Sequence, residues 1–202
     1  MLSLKKHHLI VNMKKLSKKN RTLLIVLFSL ILITGCSKYG FEVGKPWNPE
    51  ETPFFDDGVD VVDNLANLSG KWRHQQERHF DARVQLADLI AEVEILSVQT
   101  SSDLESETSK RLEVRIVEIM YGKAPSDTLP LVSRKNAPGY ELVLRHEARL
   151  MGHFFLFVRW FDEKDNKLGN HFHLSPTSEE IRIALENRIV FRKNEEASLK
   201  DK

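Results

Sequence analysis

His171 and His173 stand two residues apart in a stretch whose pattern predicts a strand, so both imidazoles project from one face. Two imidazoles on one face can hold zinc or copper if a third ligand joins them. His153 sits at the far end of the preceding predicted strand. Antiparallel pairing around a 162–169 loop sets Trp160 or Phe161 opposite Asn170 and His171, which leaves His153 remote. The loop acids Asp162, Glu163 and Asp165 are nearer. Without a third ligand such a pair is more often a half-exposed strand pair, and no metal site is assigned; a metal centre on His171 and His173 is the alternative.

Other candidates are weaker. His74 and His79 are five apart and share no helix face, so both are expected toward solvent. The stretch Asp56-Asp57-Gly58-Val59-Asp60, continued by Asp63, lacks the alternating acids and closing Glu of a calcium loop and reads as an acidic spacer. There are serines but no nucleophile-elbow motif, no Gly-rich phosphate loop, and one thiol, Cys36. No catalytic residue is assigned and enzyme activity is the minority expectation. One cysteine also excludes an intramolecular disulfide, so stability must come from packing.

Charge is unevenly placed. Residues Met1 to Ile33 hold seven Lys and Arg and no acid, so 23 basic residues remain against 29 acidic ones after Cys36, a balance of about −6. An acidic exported part argues against nucleic-acid binding, which needs a clustered cationic face.

The start reads in three zones: a basic stretch to Arg21, an apolar run from Leu23 to Ile33, and the small-residue segment Thr34-Gly35-Cys36. A run of about 11 residues is short for a hydrocarbon core that needs about 20, so a cleaved signal peptide is expected over 1–35. Ile33-Thr34-Gly35-Cys36 resembles the lipobox of bacterial lipoproteins, with Ile33 where Leu is more usual. The resemblance covers the first 36 residues. It implies diacylglycerol on the Cys36 thiol, cleavage between Gly35 and Cys36, acylation of the new amino group, and membrane anchoring through these lipids, with no other cofactor. Lys14 to Arg21 already supplies a basic zone, so Met13 is an alternative start. Ser37 in place of Asp after the cysteine implies, in a Gram-negative cell, an outer-membrane position facing the periplasm.

The elements that would position the histidines follow. Residues 36–69 carry Pro, Gly and acids without periodicity and are expected as a tether, with Trp47, Phe54 and Phe55 as aromatics able to dock on the domain or on a partner. A single globular domain is expected over 70–193. Trp72, Gln76, Phe80, Val84 and Ala87 predict a helix over 71–87, and alternation predicts strands from Leu89, from Leu112 with a β-bulge near Ile116, and over 128–133. Phe154 to Phe161 is apolar at nearly every position, as in a central strand covered on both faces, and a hairpin leads to a strand over 170–174. Thr177 and Glu180 have capping-box spacing before a helix burying Ile181, Leu185 and Ile189, and 194–202 reads as a fraying polar tail.

These segments predict a mainly β (α+β) domain: a small, partly open barrel of about five strands with flanking N- and C-terminal helices. The order from Ala87 to Leu174, with the Tyr121-Gly122-Lys123 turn, resembles barrels of the OB or netrin-like type, which host many functions. The expectation is a membrane-anchored envelope lipoprotein with a non-catalytic protein-binding domain, acting as adaptor, assembly factor or inhibitor.

Overall fold

The computed structural model describes residues 45–60, 69–102, 108–163 and 167–200, all within one compact unit, 42–202. The strands are β1 (Gly58–Val59), β2 (Leu89–Ser102), β3 (Thr108–Gly122), β4 (Thr128–Arg134), β5 (Gly152–Glu163) and β6 (Lys167–Pro176). The helices are α1 (Gly70–Leu86), α2 (Tyr140–His146) and α3 (Glu179–Lys200). All six strands form one curled, half-barrel sheet in the order β1-β6-β5-β2-β3-β4. Only β1 and β6 are parallel; every other neighbour is antiparallel. The described residues thus form a mixed α+β fold with six strands rather than about five. The sixth, β1, is two residues long and sits in a segment with no alternating pattern. None of the described helices is long and apolar enough to cross a membrane.

Strand β5 explains the arrangement. Its apolar residues occupy both phases of the pleat, so each face needs a cover. Phe154, Leu156 and Val158 join Leu89, Val93, Leu112 and Val114 on the concave face, which α2 plugs with Val143. Phe155 and Phe157 face Phe80 and Val84 of α1 and Ile181, Leu185 and Ile189 of α3. Trp72, expected on the buried face of α1, is 61% exposed, because the first turns of that helix run past the core.

Local details follow from the sheet. Between Glu92–Glu118 and Val93–Ile116 the register leaves Val117 unpaired, a bulge beside the expected position; a second shift leaves Met120 unpaired. Bulges sharpen twist, and β4 leaves β3 after Ile116, whose N–H donates to the Asp127 carbonyl at 2.8 Å, so Val117 to Gly122 pairs with β2 alone. Helix α3 is capped at Ser178, whose Oγ accepts the Ile181 N–H at 3.2 Å. Thr177 instead donates to the His153 carbonyl, which moves the expected cap by one residue. The helix continues to Lys200 through most of the expected tail. Arg192 donates to the Val84 and Ala87 carbonyls at 2.7 and 2.8 Å, satisfying the end of α1, and Tyr121 donates to Glu196 at 2.6 Å.

Residues 45–60, expected within the tether, belong to the fold. Phe55 is fully buried in the helix-side core. Glu51 is buried and takes Arg159 Nε at 2.7 Å, while Arg159 also reaches Asp88 Oδ1 at 2.9 Å. Trp47 packs on Phe161 and His171, with centroids 5.6 and 4.2 Å apart. Composition suggested solvation, but docked aromatics and buried ion pairs fasten this strap.

Candidate functional site

The strap is locked where it meets β6. Asp57 adopts a left-handed backbone, φ 54°, which Asp tolerates better than most residues. That turn lets its N–H donate to the Phe172 carbonyl at 2.9 Å while its Oδ1 accepts the Phe172 N–H at 3.1 Å. Its other oxygen meets His171 Nδ1 at 2.9 Å. Burial pushes the Asp57 carboxyl up, and the neighbouring His171 only partly offsets this.

His173, one pleat along, is 2% exposed and lies between two more strap carboxylates. Its Nδ1 is 2.7 Å from Asp56 Oδ1. Its Nε2 is 3.1 Å from Asp60 Oδ1, an ion-pair distance off the hydrogen-bond line. Arg83, 3% exposed on α1, donates to Asp60 Oδ2 at 2.9 Å and to the Phe54 carbonyl at 3.0 Å. Ser175 donates to the same Asp60 oxygen at 2.7 Å. Burial and the Arg83 charge push His173 down, but Asp60 and Asp56 outweigh them and its pKa is raised. Burial likewise pushes Asp60 up, yet His173 and Arg83, with the Ser175 hydrogen bond, hold it well below the usual carboxylate range. The result is a buried, charge-paired clasp joining strap, α1 and β6.

The expected strand geometry of His171 and His173 is present: both lie on the helix-side face of β6. They do not converge on a common ligand. Each meets a different aspartate, and among the described residues no group of three His, Cys, Asp or Glu side chains is arranged to hold a metal. His153 is far along the hairpin, opposite Glu94 on β2, with Nδ1 3.0 Å from Glu92. His74 is exposed, as expected. His79 is not at the surface alone; it is half-buried, edge-on to Phe54 at 5.5 Å, and burial with the Arg83 charge lowers its pKa. Gly35, Cys36, Asp63 and Asp165 lie outside the described residues.

A pocket of about 260 Å³ opens beside the clasp. Asp60 and Thr177 contribute polar atoms, and His146, Arg149 and His153 contribute cationic or protonatable ones. Val59, Leu150, Phe154 and Pro176 form apolar wall. Sequence reasoning missed this site because residues 135–151 carry no long periodicity. The available signal was the basic run Arg145-His146-Glu147-Ala148-Arg149 in a domain that is acidic as a whole.

No known protein-family model matches this chain, and comparison with curated proteins yields no match either. In the clasp both ring nitrogens of His173 face carboxylates, so the imidazole has no lone pair directed to a metal or a substrate proton. That arrangement fastens a segment; it does not activate a nucleophile.

Proposed function

We propose that this protein is a lipid-anchored bacterial envelope lipoprotein whose folded part is a non-catalytic protein-binding domain, an adaptor, assembly factor or inhibitor. The observation that carries the binding reading is on β3. From Val117 to Gly122 the strand pairs with β2 alone, and Val117 and Ile119 there are 49% and 47% exposed. A half-paired strand offering apolar side chains is suited to accept an extended segment of a partner. The anchor reading rests on the basic zone, the apolar run and Cys36; it places the protein in the cell envelope, on the outer membrane facing the periplasm in a Gram-negative cell.

The finer fold reading, an OB or netrin-like barrel, is supported by connectivity. Strands β2, β3 and β4 are consecutive, and β5 returns after α2 to lie beside β2, the spatial order of a Greek key. The metal alternative on His171 and His173 gains no support from two rings committed to separate carboxylates.

Photocrosslinking from position 119 in membranes tests the binding reading. One discrete envelope protein is expected, lost on Val117→Asp with Ile119→Asp while the melting temperature holds. Hydrolase or redox turnover by the pure protein, abolished by changing one pocket residue, would overturn it.

A further inference from the structure

We infer that the pocket beside the clasp receives a carboxylate side chain of an acidic peptide, an assignment that deepens the protein-binding reading and rests on it. Three observations point there. First, Arg149 and His146 line the pocket, yet among the described residues neither is paired with a carboxylate. The neighbouring acid, Glu147, is turned away onto buried Lys110 at 2.5 Å, with Thr100 2.8 Å from the same ammonium. Arg145 faces Glu141 instead, at 4.0 Å. The chain thus neutralises the charges around Arg149 and leaves that guanidinium for something else.

Second, the one acid in the pocket wall is already satisfied. Asp60 Oδ2 accepts from Arg83 and Ser175, and Oδ1 lies against His173. Its charge is balanced from inside, so it does not cancel Arg149. His153 gives Nδ1 to Glu92 and keeps its other nitrogen.

Third, the remaining wall is apolar. Val59, Leu150 and Phe154 suit a hydrocarbon stem, whereas a bare inorganic anion would leave them uncovered. A cationic end beside an apolar wall matches the polarity of a glutamate side chain, with its hydrocarbon stem, better than that of a phosphate. Guanidinium and carboxylate pair through two parallel N–H···O bonds, which supplies specificity as well as attraction.

The test uses the full chain in detergent micelles, labelled at histidine Cε1, titrated with N-acetyl-glutamate amide, N-acetyl-glutamine amide and inorganic phosphate. The glutamate compound should shift the His146 and His153 ring signals saturably, and the glutamine compound should not. Arg149→Gln, an exposed position that leaves the core intact, should weaken binding about tenfold, with Arg149→Lys retaining part of it. Equal shifts from the glutamine compound, tighter binding of phosphate, or unchanged binding in Arg149→Gln would each overturn the assignment. If crosslinking from position 119 persists while the glutamate compound fails, the pocket assignment falls and the protein-binding reading stands.

Discussion

His173 on β6 and Asp56 on the strap are 117 positions apart in sequence, yet their side chains meet at 2.7 Å, closing a buried ion pair that Asp60 completes from the other side. The contact decides where residues 45–60 go. It also makes stability depend on pH in a definite direction.

Because the folded-state pKa of His173 is raised, the stability it contributes is complete below the unfolded value of about 6.5 and is lost as pH rises through the folded value. Denaturant unfolding should therefore show stability declining above about pH 6.5, and His173→Gln should flatten that slope. Asp60 works in the opposite sense. Its lowered pKa contributes above the usual carboxylate range and is lost only in strong acid. A wild-type slope identical to that of His173→Gln would contradict the charged clasp.

Arg83 has its guanidinium buried against Asp60 and the Phe54 carbonyl. Removing one member of a buried pair strands the other, so Arg83→Met alone should cost about 3–5 kcal/mol, as should Asp60→Ala. The double variant should cost less than the sum of the two, because the uncompensated partner is gone. Urea titration of all four proteins reads the coupling directly; simple additivity would mean the contact carries no interaction energy.

Gly139 touches β1 with its backbone. A Cβ there would lie 2.3 Å from the Gly58 Cα and 2.7 Å from the Asp56 carbonyl oxygen, both backbone atoms of the strap. Gly139→Ala should push the strap from its seat, breaking the 2.8 Å bond from the Gly139 N–H to the Asp56 carbonyl. Hydrogen exchange should then speed up over residues 55–60 with little change in β2 and β3. Unaltered protection there would show that the strap tolerates the displacement.

Thioether lipidation needs a thiol, and Cys36 is the only one in the chain. Cys36→Ala should leave a precursor that lipoprotein signal peptidase does not cut and that takes up no radioactive palmitate. The Cys36→Ala protein and residues 42–202 expressed alone should melt at the same temperature, since the described core begins after Lys45. A mature amino terminus other than Cys36 by mass spectrometry would refute the anchor assignment.

What the sequence determined by itself was everything governed by local periodicity. The double-phase apolar run from Phe154 demanded a strand covered on both sides. The four-residue spacing of Ile181, Leu185 and Ile189 demanded a helix on one of those sides, and the phase change near Ile116 marked the bulge. Tertiary structure alone decided the rest. An aspartate in an acidic spacer and an aspartate in a clasp look alike in sequence, because His171, His173 and Ser175, which meet Asp57, Asp56 and Asp60, lie more than 100 residues away on β6, and Arg83, the other partner of Asp60, is on α1. Likewise, the spacing of His171 and His173 set the shared face, but the carboxylates that arrive from the strap determine what those rings do. Long-range pairing is written in no short pattern, since its energy comes from burial and charge compensation that exist only once the chain has closed.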